Sequence, residues 1–176
     1  MILLLKFSSL IIIRLLKVVL YMVKMLEEYV PFWRELSPTL KELLCSETAE
    51  RLVRAGTVLH GGKENCTGLL IVTSGRIRAY TISEEGKELT LYRLYDRDIC
   101  LFSASCVFSN VSFDIFVEAE QDTRLLHIPS EIYRRVMESS TPAAVYTNKL
   151  MSERFSDVMW LLDQVMNKRL DTRLAA

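Results

Sequence analysis

The sequence predicts a mainly β domain with flanking helices: an antiparallel β-roll or jelly roll, followed by a long C-terminal dimerisation helix. Three observations carry that reading. From Ala49 onward the apolar pattern takes a two-residue period, interrupted at short intervals by Gly, Ser or Pro. Up to Leu44, and again after Pro129, the pattern is helical. Finally, Met151, Phe155, Val158, Leu162 and Val165 recur at 4-3-4-3 spacing, the a/d seam of a coiled coil over about two heptads.

The chain has 176 residues, half of them hydrophobic, enough for one domain with a sizeable core and an extension. Lys and Arg total 22, as do Asp and Glu, so the formal net charge is zero. That excludes a globally basic nucleic-acid binder; any such contact needs a local patch or a part outside this sequence. Cysteines stand at 45, 66, 100 and 106, with no C-x-x-C pair. A chain this large and apolar does not need disulfides, which fits reduced thiols and a cytoplasmic protein.

Residues 1–25 differ in character from the rest of the chain. Their apolar runs are broken by Lys6, Arg14, Lys17 and Lys24, too often for a membrane span, and no signal-peptide cleavage pattern is present. Arg14, Lys17, Tyr21 and Lys24 share one helical face, so a basic amphipathic helix could lie on an anionic membrane surface. The other reading is upstream sequence joined ahead of Met22 or Met25. Leu26–Leu44 is helical in type, with Ser37 as N-cap, Pro38 at the first helical position and Trp33 as an anchor.

A strand is expected over Arg54–Gly62, bounded by glycines, then Leu69–Val72 closed by a turn at Ser74-Gly75. Ile77, Ala79 and Thr81 alternate with Arg76, Arg78 and Tyr80 along a half-buried strand. Ser83–Lys87 is a hairpin loop with Gly86 where positive φ is most needed, and Leu89–Leu94 returns. Further strands are expected at Phe113–Ala119 and Arg124–Ile128, the latter stopped by Pro129. Ser130 should cap a short helix, Glu131–Met137, and Thr141-Pro142 opens the last helix. Met159, Leu161, Trp160 and Met166 widen its apolar surface beyond one stripe, so it should face both the roll and a second copy of itself.

The segment between the strands, Asp96–Ala119, is rich in small residues and offers backbone N–H groups to an anion. Asp98, Cys100, Ser103, Ala104, Ser105, Cys106 and Phe113 are the candidate effector-pocket residues. Cys100 and Cys106, if close and partly exposed, could form a reversible disulfide or ligate haem or another soft metal. The alternative is two buried thiols packing the segment. His60 and His127 stand in no metal-binding motif, no base lies near either cysteine in sequence, and no phosphate-binding loop is present. The chain is therefore read as a non-enzyme with no assigned metal.

The order of parts resembles the Crp/Fnr family of bacterial transcription regulators over about residues 26–176. Gly68–Gly75 is similar to the family's strand-turn segment, and Arg76–Tyr80 with Ser83–Leu94 to its central hairpin. Ile99–Cys106 resembles the cassette of a subgroup from anaerobic Gram-positive bacteria, and Arg154–Leu161 that subgroup's dimer helix. The resemblance implies a cyclic-nucleotide-binding-like sensor roll and a homodimer, with DNA contacted through a C-terminal helix-turn-helix. Where cyclic-nucleotide members carry a Gly-Glu pair and an Arg, this sequence has Asp98-Ile99 and Phe113. No Arg lies between Arg97 and Arg124, so cyclic AMP is not the expected effector. With no cysteine before Cys45, a cluster of the iron–sulfur members' kind is not expected either.

The expected organisation is an extension at 1–25, a sensing roll at 26–140 and a dimerisation helix at 141–176. The sequence reaches Asp171–Ala176 where the family's helix-turn-helix would begin. The expected function is the sensory and dimerisation part of an effector-responsive regulator. The alternative is a stand-alone ligand- or redox-sensing module, associated with a membrane through residues 1–25.

Overall fold

The computed structural model describes residues 2–61, 67–107 and 114–167, with side chains at 14, 16–61, 67–104 and 114–166. In chain order the elements are α1 (Ile2–Tyr29), a 3-10 turn (Trp33–Glu35), α2 (Pro38–Glu47), β1 (Ala49–Val53), β2 (Val58–Gly61), β3 (Leu69–Ser74), β4 (Ile77–Ile82), β5 (Glu88–Leu94) and β6 (Ile99–Cys100). A second 3-10 segment (Phe102–Val107), β7 (Phe116–Ala119), β8 (Thr123–Ile128), α3 (Ser130–Ser139) and α4 (Thr141–Asn167) complete them. The strands make two antiparallel four-stranded sheets, ordered β1-β8-β3-β6 and β2-β7-β4-β5. This is the expected roll with flanking helices.

Within the first sheet β3 is buried on both faces, which explains the unbroken apolar run Leu69–Val72. Alternate residues of a strand point to opposite faces. Leu69 and Ile71 of β3, Ile99 of β6, and Leu126 and Ile128 of β8 meet the helices. Leu70, Val72, Cys100 and Leu125 face the roll interior, joined there by Ile77, Ala79, Leu94 and Val117 of the second sheet. The helical core around the first set holds Met22, Leu26, Val30, Trp33, Leu36 and Leu44, together with Tyr133, Val136 and Leu150. Met151 packs against both cores.

Local signals account for most element boundaries. Ser37 Oγ accepts from Leu40 N–H at 3.3 Å, with Pro38 opening α2 as expected. In the β4–β5 hairpin Gly86 has φ 78°, and Ser83 and Lys87 close the loop with a 2.9 Å backbone bond. Gly75, at φ 96°, lets Thr123 come close enough to accept from Arg76 N–H at 3.0 Å.

Several boundaries differ from the sequence reading. Of the strand expected over Arg54–Gly62 only Val58–Gly61 is strand among the described residues, because Gly56 at φ 79° turns the chain and donates to Ala119 O at 2.8 Å. The strand expected from Phe113 begins at Phe116, and Phe113 lies outside the described residues. Leu26–Leu44 is broken between Tyr29 and Pro38 by the 3-10 turn that seats Phe32 and Trp33. Ser130 does not cap α3. It is the first helical residue, Pro129 flanks it, and no side chain makes the cap bond.

The boundary drawn at residue 25 falls inside α1, whose Met22 and Leu26 both enter the helical core. Arg14, Lys17, Tyr21 and Lys24 are exposed, and so are Leu16, Val18, Val19 and Leu20 between them, so exposure alone does not set the basic face apart. Among the described residues no helix is long and apolar enough to cross a membrane.

Candidate effector site

The candidate site is built on the turn that carries β5 into β6. Asp98 N–H donates to Tyr95 O at 3.0 Å, and Tyr95 N–H donates to Asp98 Oδ2 at 2.8 Å, which fixes the Asp98 carboxylate. Arg97 sits in the left-handed region at φ 72°. Its guanidinium lies 5.3 Å from the Tyr29 ring centroid and pairs with Glu28, tying the turn to the end of α1.

Beyond Asp98 the chain turns inward. Cys100 and Ala104 are completely buried, and Ser103 Oγ donates to Cys100 O at 2.8 Å. Ser103 O accepts from both Thr67 and Gly68 N–H at 3.0 Å, so Ser103 braces the cassette against the residues leading into β3. Burial, partly offset by hydrogen bonds from Ser103, pushes the Cys100 thiol up. Cys100 thus fails the exposure condition for a reactive thiol: it is a protonated group inside the roll, not a ready thiolate for redox or haem chemistry. Cys66, Phe113 and the side chains of Ser105 and Cys106 lie outside the described residues. Among the described residues no group of three metal-ligating side chains occurs. His127 is buried, with Nε2 against Thr67 O, and burial lowers its pKa; His60 is buried too.

The residue that sequence reasoning missed is Arg154. It comes from α4, fifty-odd positions along the chain from the cassette, and its side chain is 16% exposed. One guanidinium nitrogen lies 3.7 Å from Asp98 Oδ1 and another 3.2 Å from Asp157 Oδ2. The guanidinium stands 4.9 Å from the centroid of Tyr92, a β5 residue whose ring is 5.8 Å from that of Phe102. Burial raises the Tyr92 phenol well above its ordinary value, so it is a neutral hydrogen-bond donor at physiological pH. A usable signal was present: Ala143, Thr147, Leu150 and Arg154 repeat at 4-3-4 spacing, so the cation falls on the buried stripe of α4.

The expected seam divides. Phe155, Leu162 and Val165 are exposed, whereas Met151 and Val158 are half-buried. Met159 and Met166 are also exposed, so Phe155, Met159, Leu162 and Met166 form an open apolar stripe at 4-3-4 spacing.

The cyclic nucleotide-binding domain model matches residues 50–140, from β1 to the end of α3. A solved structure described as a transcriptional regulator of the Crp/Fnr family, from Eubacterium rectale, is 50% identical to this chain. It superposes with a TM-score of 0.80, over 84% of this chain and 68% of that one. The chain belongs to the Crp/Fnr family.

Two more distant solved structures share the Crp/Fnr fold. The catabolite activator protein of Thermus thermophilus is 22% identical, with a TM-score of 0.58 over 77% of this chain and 62% of that one. The sensor domain of the transcriptional regulator DNR from Pseudomonas aeruginosa is 18% identical, with a TM-score of 0.58 over 79% of this chain and 90% of that one. No curated protein matches the chain. Placed in the Crp/Fnr family, the roll is a cyclic-nucleotide-binding-type sensor domain, and the long helix after it is α4. The family relatives are transcription regulators rather than enzymes.

Proposed function

We propose that this chain is the effector-sensing and dimerising half of a transcription regulator, acting in the cytoplasm without catalysis. The roll up to residue 140 receives the effector against the cassette. The helix from residue 141 pairs with its copy and passes the change on to a DNA-binding part. DNA binding belongs to that part of the family's architecture. One observation carries the reading: the same helix presents Arg154 to the cassette and an open stripe to its surroundings. A helix so divided couples two contacts, because a shift at one face must move the other.

The effector is something other than cyclic AMP. The sequence offers no Arg in the cassette for a cyclic phosphate, and Arg is the residue suited to grip one in bidentate fashion. The dimer seam is Phe155, Met159, Leu162 and Met166, with Val165 at its edge. Met151 and Val158, half-buried on the chain's own core, contribute less.

Sedimentation velocity across a concentration series tests this. The chain should sediment at twice its own mass, and Phe155→Glu with Met159→Glu should return it to a monomer that keeps its β-sheet signal. A wild-type monomer at all concentrations, or a dimer indifferent to both substitutions, would overturn the proposal.

A further inference from the structure

Resting on the effector-sensing reading, one cluster says which chemical class the site takes. Among the described residues, Arg154 Nε is buried without a hydrogen-bond partner, and so is the Tyr92 hydroxyl. The two side chains are neighbours: the Arg154 guanidinium stands over the Tyr92 ring, 4.9 Å from its centroid. Buried polar atoms in native proteins are nearly always paired, so two orphaned donors side by side mark a missing acceptor.

Among the described residues, neither nearby carboxylate fills that role. Asp98 Oδ1 stays 3.7 Å from Arg154, beyond the ordinary 2.7–2.9 Å or so of a charge-assisted hydrogen bond. It cannot swing closer, because Oδ2 is held by Tyr95 N–H at 2.8 Å and the turn is closed by the Asp98–Tyr95 backbone bond. Asp157 takes one terminal nitrogen from the solvent side and leaves Nε unpaired. The described groups beside it are neutral: the Tyr92 and Phe102 rings, and Cys100 with its thiol pushed up by burial.

We propose that Arg154, supplied by the helix rather than the cassette, is the anion-reading residue of this sensor, and that its effector is a small organic anion with an apolar body. The anion's oxygens accept from Arg154 and from the Tyr92 hydroxyl, and its apolar part lies against Tyr92 and Phe102. Asp98 is the competing carboxylate. It holds Arg154 loosely when no effector is present, and the incoming anion takes its place. Binding therefore exchanges a tether between roll and helix for a bridge through the ligand, at the residue next to Phe155 of the open stripe.

The test is the Arg154 Nε–H resonance in a 15N-labelled chain, assigned by its loss in Arg154→Gln. The probes are benzoate and phenylphosphonate, with benzamide as the neutral match. Both anions should shift that resonance and benzamide should not. Asp98→Asn should tighten benzoate by roughly tenfold, as expected when a like charge is removed beside a half-exposed site. Arg154→Lys should retain part of the binding and Tyr92→Phe should weaken it. The proposal is overturned if neither anion moves the resonance, if benzamide moves it equally, or if Asp98→Asn weakens binding. The dimer reading fails separately, by sedimentation: a monomer whose Arg154 still answers the anions would keep this inference and remove that one.

Discussion

The two halves of α4 are built on different physics. From Thr141 to Leu150 the helix is an ordinary part of the core: Ala143 is 0%, Thr147 1% and Leu150 7% exposed. Thr147 Oγ1 is bonded to the Tyr133 hydroxyl and donates to Ala143 O at 2.8 Å. From Met151 to Met166 many of the large side chains turn outward, with Phe155 67%, Trp160 59% and Met166 78% exposed, while Met151, Val158 and Leu161 stay half-buried. That exposed apolar stripe is the surface proposed to pair with a second copy. Arg154 sits just past the boundary and pairs the outer half with Asp98 of the roll. In the proposed reading the first half stabilises the domain and the second carries its response.

That contrast can be broken at measurable points. The largest effect on folding belongs to the first half. Leu150→Ala should cost about 2–5 kcal/mol in urea denaturation, the range for truncating a buried leucine. Phe155→Glu, five residues on, should leave monomer stability nearly unchanged and weaken dimerisation by about 30-fold or more, as for a central interface residue. If Phe155→Glu instead unfolds the chain, the halves are not distinct. Tyr133→Phe comes next. Burial raises the Tyr133 phenol to about 12, and its hydroxyl partner Thr147 is buried with it. Losing that bond should cost about 1 kcal/mol and leave sedimentation unaltered.

The smallest effect is in pH. Burial holds His127 below its ordinary 6.5, so its charged form is favoured in the unfolded chain. Stability from this group should be complete above about pH 6.5 and fall as the pH drops through that value. His127→Gln should flatten that acid limb, read as the urea midpoint at about pH 8 and about pH 5. An unchanged slope would mean that His127 is charged in the folded chain.

Much of the fold was legible because the signals were local. Ser37-Pro38, the Ser83–Lys87 loop with Gly86, and Pro129 each act within a few residues, and each ends or turns an element where expected. Gly56 was legible as a breaker but was read as lying inside a strand, since alternation cannot show which neighbour the chain will pair with. β1 in fact pairs with β8 and β2 with β7. The candidate site was legible only on its cassette side. Asp98, Cys100 and Ser103 were found as a contiguous segment, but Ser103 proved to be a brace and Cys100 a buried thiol. Arg154 and Tyr92 meet the cassette only through tertiary packing, and that required the helix to be placed.

The measurement that bears most directly on the divided helix is disulfide trapping along α4. Leu162→Cys lies on the open stripe and Ser156→Cys beside it. In a parallel, in-register pair, equal stripe positions face one another. Mild oxidation should therefore convert Leu162→Cys to a covalent dimer and leave Ser156→Cys monomeric on a non-reducing gel. Equal trapping at both positions, or trapping at Ser156→Cys alone, would contradict the account.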